Sequence, residues 1–170
     1  SSQKVNYEAA AKIANYLVKE QGSEGIVVTG TTGESPTLSV EEKIALYRTV
    51  KKEVGSKAMV IAGTGSYDTK SSIELTLKAA EVGVDGFLLV APYYNKPSQK
   101  GLLEHFKAIA EVTTLPVIIY NVPSRTGVNI SADTCIELSF IENIVGVKEA
   151  SGDLEQIAII CRETEDNFLV

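Results

Sequence analysis

The sequence predicts an α/β fold of the (β/α)8 barrel class, with six strands of such a barrel in its 170 residues. The first observation is a series of short apolar runs, rich in β-branched residues, each as long as a strand buried on both faces. The second is that stretches with apolar residues at three- and four-residue steps, typical of helices, separate these runs. Strands that alternate with helices in this way are parallel and joined by right-handed crossovers.

The predicted elements follow one another in a regular order. The chain opens on a predicted helix, NYEAAAKIANYLVKEQG, with no strand before it. Ser39 and Glu42 match the pattern of a capping box, and Ser98 and Ser131 are suitable N-caps for two later helices. The predicted strands are GIVVTG from residue 25, MVIAG from 59, GFLLVA from 86, PVIIYNV from 116, NIVGVK from 143 and FLV from 168.

An open doubly wound sheet is the competing architecture for this repeat. Its phosphate-binding signature, G-x-G-x-x-G after the first strand, is missing, and GTGSYD at 63–68 matches it only in part. Polar residues instead follow the strands at several points of the repeat, as the catalytic rim of a barrel requires. The pattern therefore favours the barrel, and since no linker or low-complexity tract divides the chain, residues 1–170 are expected to form a single partial barrel domain.

Composition excludes several classes of function. The net charge is −6 and the basic residues are scattered, so a nucleic-acid partner is not expected. No apolar stretch is long enough to span a bilayer, and the opening SSQKVNYEAA has no apolar signal-peptide core, which predicts a cytoplasmic protein without a membrane partner. Cys135 and Cys161 stand alone on predicted helices without metal-ligand spacing, which indicates reduced thiols and no metal site.

Lys148, in the stretch GVKEASGD, lies where a buried strand should be leaving the core. In one interpretation its stem packs on the strand and its ammonium reaches solvent, with Glu149 a poor partner because neighbouring strand residues point to opposite faces. In the other it is a Schiff-base lysine, whose partial burial lowers its pKa and frees a neutral amine to attack a ketone. Spacing alone leaves both interpretations open.

Other strand ends carry residues that suit such an amine. Tyr120 is either an ordinary buried tyrosine or a proton carrier beside the nucleophile. The turn GTTGE, which begins at Gly30, is either a tight turn before a helix or a set of backbone N–H groups and hydroxyls that holds a small carboxylate. Arg125 is either a solvated loop residue or the partner of a substrate carboxylate. His105 lies on a predicted outer helix, and we interpret it as structural.

Tyr93 and Tyr94 follow the third predicted strand, where they are either surface aromatics or subunit-interface residues. With these residues together, the chain resembles the dihydrodipicolinate synthases, which are pyruvate-dependent class I aldolases. The resemblance covers essentially all 170 residues and rests on several motifs in the order of the family. The motifs are GTTGESPTLS, VIAGTGS, APYYNKPSQKGL, HFKAIAE, YNVPSRTG and GVKEASGD.

The resemblance implies a (β/α)8 barrel, a homotetramer built as a dimer of dimers, that condenses pyruvate with aspartate 4-semialdehyde in lysine and diaminopimelate biosynthesis. It implies that Lys148 forms the imine with pyruvate, and that no metal or organic cofactor is needed. Thr31, Tyr120 and Tyr94 match the proton relay of the family, with Tyr94 supplied by the neighbouring subunit. Thr32 matches a pyruvate carboxylate contact, and Arg125 matches the residue that receives the carboxylate of the semialdehyde.

The sequence also departs from the family pattern. It lacks the first strand and everything after the start of the seventh strand. If the molecule ends at Val170, we expect it to be inactive or to need a partner fragment. One alternative is another pyruvate-dependent aldolase, of the N-acetylneuraminate lyase or keto-deoxy-sugar acid aldolase type, although the arginine in SRTG at 124–127 argues against the former. The other alternative is an inactive remnant that acts as a binding or structural domain.

Overall fold

A computed structural model describes residues 4–170, so the first three residues of the opening stretch SSQKVNYEAA lie outside the described residues. The strands are β1 (Gly25–Val28), β2 (Met59–Gly63), β3 (Gly86–Val90), β4 (Val117–Asn121) and β5 (Ile144–Glu149). The helices are α1 (Tyr7–Lys19), α2 (Val40–Val54), α3 (Thr69–Val82), α4 (Gln99–Ala110), α5 (Pro123–Thr126), α6 (Ala132–Ser139) and α7 (Leu154–Glu163).

The five strands form one sheet that is parallel throughout. Their spatial order is β1-β2-β3-β4-β5, the same as their order in the chain. A doubly wound sheet reverses direction partway and so places non-consecutive strands side by side, whereas a barrel adds each strand next to the last. The topology therefore confirms the predicted barrel architecture over the competing open sheet.

The predicted sixth strand, FLV from residue 168, is only partly present. Leu169 forms a single isolated parallel bridge to Gly146, in which its N–H donates to Val145 and its carbonyl accepts from Val147. The residues just before it form a turn, with the Phe168 N–H donating to Glu165, so the pairing does not extend further back along the chain. The described residues thus contain five strands and a bridge instead of six strands.

Local sequence sets the helix starts as expected. Ser39 and Glu42 form a reciprocal capping box at α2, while Ser98 and Ser131 cap α4 and α6 through their hydroxyl groups. The helix α4 ends at Ala110. None of the helices within residues 4–170 has the length and apolar content needed to span a membrane.

The two faces of the sheet are packed very differently. The outer face meets the helices in a large apolar core, in which Phe87, Leu89 and Ile119 are fully buried. The opposite, inner face has a small cluster formed by Leu88, Tyr120 and Val122. Within residues 4–170 parts of the inner face are not covered: Val27 and Met59 are 45% and 54% exposed.

Candidate active site

The carboxyl ends of β4 and β5 place Tyr120 and Lys148 side by side. The two residues are direct neighbours in the parallel register of these strands and therefore share the inner face. The Lys148 Nζ lies 4.2 Å from the centroid of the Tyr120 ring, within the range of a cation–π contact. The amine and the phenol that the sequence analysis considered together are thus adjacent, and their catalytic roles stay a prediction.

Within residues 4–170 Lys148 is exposed, whereas the sequence analysis expected it to be partly buried. The strand β5 is the edge of the five-stranded sheet, and beyond it only Leu169 bridges to Gly146. Among residues 4–170 there is therefore no further strand to cover Lys148 on that side. The amine is supported on its other side by the Tyr120 ring and is open to a small reactant.

The outer side of the same strand ends holds a polar network. The Glu149 carboxylate accepts hydrogen bonds from Asn121 Nδ2 at 2.9 and 3.2 Å, from Gln156 Nε2 at 3.0 Å and from the Ser151 N–H at 2.6 Å. Asn121 is fully buried. The network accounts for the carboxylate of Glu149 without Lys148, in agreement with the prediction that these sequence neighbours are poor direct partners.

The chain leaves β1 in a tight turn. Thr31–Gly33 forms a single 3-10 turn, in which the Gly33 N–H donates to the Gly30 carbonyl at 3.0 Å. Gly30 and Thr31 are half-buried and line the cavity described next, whereas Thr32 is exposed and does not line it. The predicted contact between Thr32 and a carboxylate stays a prediction.

A cavity of about 210 Å³ lies at the carboxyl ends of the strands. Apolar side chains, among them Leu88, Val90 and Val122, form much of its wall, and its size suits a small metabolite. The structure brings four of the predicted site residues into this lining, and Lys148 adjoins them through its contact with the Tyr120 ring. The four are Gly30, Thr31, Tyr120 and Arg125.

Among residues 4–170, Arg125 is the only charged residue that lines the cavity, and no carboxylate from these residues lines it. It lies on the one-turn helix α5 and not on an irregular loop as expected. Pro123 favours this turn because its fixed φ suits the first helical position, and Gly127, with φ +73°, ends it. The lining is therefore locally positive in a chain of net charge −6, which suits an anionic substrate.

Tyr93 and Tyr94 have different environments although they are adjacent. Tyr93 lines the cavity and packs edge to face against Tyr67, with ring centroids 5.5 Å apart. Tyr94 is 91% exposed, and its φ of +71° is in the left-handed region, which turns it away from its neighbour. Within this single chain Tyr94 does not line the cavity, and its role from a neighbouring subunit stays a prediction.

The remaining reactive side chains are remote from the cavity lining. His105 is buried on α4, with its Nδ1 2.8 Å from Thr69 Oγ1, and burial lowers its pKa to about 4. Cys135 and Cys161 are free thiols on α6 and α7, and burial raises the pKa of Cys135 to about 12. Within residues 4–170 no three His, Cys, Asp or Glu side chains are grouped so as to hold a metal ion.

Comparison with known proteins identifies the family. The model of the dihydrodipicolinate synthetase family matches residues 1–170. The chain belongs to this family. A 4-hydroxy-tetrahydrodipicolinate synthase from Moorella thermoacetica is 59% identical over 167 residues, which are 98% of this chain and 57% of that protein. The chain thus spans a little over half the length of that curated relative.

Solved structures of family members share the fold. A dihydrodipicolinate synthase from Bacillus anthracis is 56% identical with a TM-score of 0.95, and the match covers 98% of this chain and 57% of that one. The chloride-inhibited enzyme from Acinetobacter baumannii complexed with pyruvate is 46% identical with a TM-score of 0.89, covering 94% and 55% respectively. These likenesses confirm both the partial (β/α)8 barrel and the family that the motifs indicated.

Sequence reasoning missed several residues that line the cavity. Leu88 and Val90 lie two apart on β3 and share the inner face, but a strand with apolar residues on both faces does not reveal which residues point inward. Thr29 and Thr126 also line the cavity. Thr126 is within the SRTG motif and could have been included, whereas the backbone conformation that makes Thr29 unusual leaves no signal in the sequence.

Proposed function

We propose that the protein is a Schiff-base lyase that condenses pyruvate with L-aspartate 4-semialdehyde to give 4-hydroxy-tetrahydrodipicolinate. The observation that carries the proposal is the position of the Lys148 Nζ, 4.2 Å from the ring of Tyr120, which itself lines the cavity. Membership of the dihydrodipicolinate synthetase family supports this choice of substrates.

Both substrates are carboxylates, and the cavity suits them electrostatically. Arg125 presents a planar fork of donors, the geometry that binds a carboxylate through two parallel hydrogen bonds. In the proposal Arg125 receives the semialdehyde, while Gly30 and Thr32 in the turn after β1 hold the carboxylate of pyruvate. Backbone N–H groups in a tight turn bind a small anion without a full positive charge.

The reaction begins when the neutral amine of Lys148 attacks the C2 carbonyl carbon of pyruvate. The resulting carbinolamine loses water to give an imine, which withdraws electrons from the adjacent methyl group. Loss of a methyl proton then gives an enamine, whose carbon attacks the aldehyde carbon of the semialdehyde. The protonated imine accepts the electron pair when the methyl proton leaves, and the enamine returns that pair in its attack, which re-forms the imine and leaves a hydroxyl on the former aldehyde carbon. The amino group of the semialdehyde then attacks the imine carbon and displaces the Lys148 amine, which closes the ring and frees the lysine. The lysine imine is thus the electron acceptor, so the proposal needs no metal or organic cofactor.

Each of these steps moves a proton, which requires nearby groups that give and take one. Tyr120 is buried, contacts the Lys148 amine through its ring and lines the cavity, which supports its assignment as the group that exchanges protons with the amine. Thr31 lines the same cavity and extends the relay. In the proposal, Tyr94 of a neighbouring subunit completes it, and its 91% exposure in the single chain is what such a contribution requires.

An assembly follows from that role, because a tyrosine turned away from its own cavity acts only in an oligomer. We expect the homotetramer of the family pattern, a dimer of dimers. Sedimentation of the intact protein tests this, and replacement of Tyr94 by alanine tests whether the interface and the reaction depend on the same residue.

Covalent trapping tests the proposal directly. The intact protein is treated with borohydride in the presence and absence of pyruvate, and its peptides are then mapped by mass spectrometry. A pyruvate-dependent adduct on Lys148 is expected, since borohydride reduces the imine to a stable secondary amine. The matched control is Lys51, a partly buried lysine paired with Asp85 at 2.6 Å, which should carry no adduct.

The choice of aldehyde distinguishes related lyases. An adduct at Lys148 with turnover of aspartate 4-semialdehyde supports the synthase, whereas an adduct with turnover of only sugar aldehydes supports another aldolase of the superfamily. A folded protein that forms no adduct at any pyruvate concentration would reject the Schiff-base mechanism and favour a binding or structural role.

A further inference from the structure

Thr29, directly after β1, has a backbone conformation that threonine rarely adopts. Its φ is +58°, in the left-handed region, where a β-branched side chain crowds the backbone. The residue is only 6% exposed, although Thr32 and Glu34 a few positions later are exposed. Such a conformation persists only where the surroundings enforce it, and enforced outliers concentrate at functional sites.

Three buried contacts enforce this conformation. Thr29 Oγ1 lies 2.8 Å from the Tyr47 hydroxyl, and both oxygens lie near the Gly63 carbonyl oxygen, at 3.1 and 2.9 Å respectively. Two hydroxyl protons cannot serve three contacts at once. The two shortest contacts form a chain in which Thr29 donates to Tyr47 and Tyr47 donates to Gly63, and such chains strengthen cooperatively.

The partners of Thr29 are themselves immobilised. Tyr47 extends from α2 and is fully buried, and burial raises its pKa to about 12, so it keeps the proton it donates throughout the neutral range. At Gly63 an added Cβ would lie 2.5 Å from the Thr29 carbonyl oxygen. The ends of β1 and β2 therefore approach more closely than any side chain at position 63 would allow. We call Thr29, Tyr47 and Gly63 the hydroxyl lock.

The lock stands directly before the residues that the proposed reaction uses. Gly30 and Thr31 line the cavity, and the direction in which the chain leaves Thr29 determines where they point. We propose that Thr29 is a positioning residue, which with Tyr47 and Gly63 holds the 30–33 turn in the orientation that receives the carboxylate of the keto acid. This inference rests on the proposed function for the identity of the ligand, and on the lock alone for the placement of the turn.

The hydroxyl of Thr29 is the part that can be removed with little change of shape. Thr29→Val keeps the volume and the branching but deletes the donor, Tyr47→Phe deletes the other hydroxyl, and Thr29→Ser keeps the hydroxyl. Thr134→Val is the matched control, because Thr134 is also 6% exposed and its hydroxyl makes a 2.7 Å bond, but it lies on α6. Trapping at Lys148 is measured for each variant over a range of pyruvate concentrations.

Thr29→Val and Tyr47→Phe should each raise the pyruvate concentration for half-maximal trapping by on the order of tenfold, since a displaced turn binds the carboxylate poorly. Maximal trapping should be kept, because the amine lies on β5. Thr29→Ser should stay within about twofold of the wild type, and the double variant should be no worse than either single variant, as expected for one coupled unit. Thr134→Val should leave half-saturation unchanged even if it lowers stability.

Amide hydrogen exchange of the peptide 29–38, without pyruvate, tests the placement of the turn independently of chemistry. Faster exchange there in Thr29→Val and Tyr47→Phe, but not in Thr134→Val, supports the lock. Wild-type exchange and wild-type half-saturation in both variants overturn it. If the wild type forms no adduct, both the ligand assignment and the proposed function are rejected. If the wild type forms the adduct and the variants have the same half-saturation and exchange as the wild type, only the lock is rejected. Should Thr29→Val fail to fold, Tyr47→Phe decides alone.

Discussion

The ends of β4 and β5 have two sides that contrast sharply. On the outer side Asn121 is fully buried and bonded to Glu149, and its Oδ1 accepts from the Ile130 N–H at 3.0 Å. On the inner side, one residue away on each strand, Tyr120 lines the cavity and Lys148 is exposed with one aromatic contact. Within residues 4–170 the same strand ends are thus held by buried hydrogen bonds on the outer side and are not covered on the inner side.

Among residues 4–170, this contrast separates a hydrogen-bonded outer side from an inner side that carries the reactive group. A buried polar network rigidifies its surroundings when every member is satisfied. The network fixes the backbone of β4 and β5, and with it the Cα atoms of Tyr120 and Lys148. Because adjacent residues of a strand point to opposite faces, the side chains of these two residues extend from this fixed backbone to the inner face. Stability should therefore depend on the outer side and reactivity on the inner side.

The largest expected effect comes from Lys148→Arg on the inner side. Arginine keeps the positive charge and the aromatic contact but cannot supply a neutral amine, so pyruvate trapping should be lost completely. Because Lys148 is exposed, the free energy of unfolding in urea should change by less than about 0.5 kcal/mol. A large loss of stability in this variant would show that the two sides are not separable.

Asn121→Ala tests the outer side and should have the largest effect on stability. It deletes the donor to Glu149 and the acceptor for the buried Ile130 N–H, which should lower the free energy of unfolding by roughly 2–4 kcal/mol. Asn95→Ala is the control, since Asn95 is exposed and its 2.9 Å bond to the Tyr67 carbonyl should be worth little. Equal midpoints of urea unfolding for the two variants would contradict the assigned importance of the network.

Two adjacent valines repeat the comparison on β1. Val28 is 6% exposed in the core between sheet and helices, whereas Val27 is 45% exposed on the inner face. Val28→Ala removes two buried methyl groups and should cost about 2 kcal/mol of unfolding free energy, and Val27→Ala less than about 0.5 kcal/mol. Similar losses from both substitutions would mean that another molecule covers the inner face in solution.

Much of the fold was predictable because local signals and packing agree. The second predicted strand, MVIAG from residue 59, coincides with β2, and the capping box at Ser39 marks the start of α2. The partial sixth strand was not predictable from apolar content, since FLV is as apolar as the other runs. Strand formation also needs a partner in register, and only Leu169 has one.

The candidate site was also predictable only in part, because some of its features depend on residues distant in the chain. Strand ends in a barrel meet at one rim, which is why Tyr120, Thr31 and Arg125 could be grouped from their positions in the chain. The exposure of Lys148 could not, because it depends on what lies beyond β5. The conformation of Thr29 depends on Tyr47, 18 residues away on α2, and no local pattern encodes it.

His105 gives a test specific to the helix layer on the outer side, because its effect on stability depends on pH. Burial lowers its pKa to about 4 from a usual value near 6.5, against the opposing influence of the nearby Asp68 carboxylate. Between these pH values the unfolded chain binds the proton and the folded chain does not. Stability from this residue is therefore full above pH 6.5 and declines towards pH 4, by at most about 1.4 kcal/mol per pH unit.

His105→Gln should remove this dependence, since glutamine does not titrate and its amide can still bond to Thr69. Urea unfolding of both proteins from pH 7.5 to 4.5 measures the difference, and titrating groups common to both cancel in the comparison. The wild type should lose stability faster than the variant as the pH falls. If the unfolding free energies of the two proteins fall in parallel with pH, folded His105 accepts a proton readily. The helix layer then tolerates charge much as the inner face does, and the contrast between the two sides is weaker than their burial suggests.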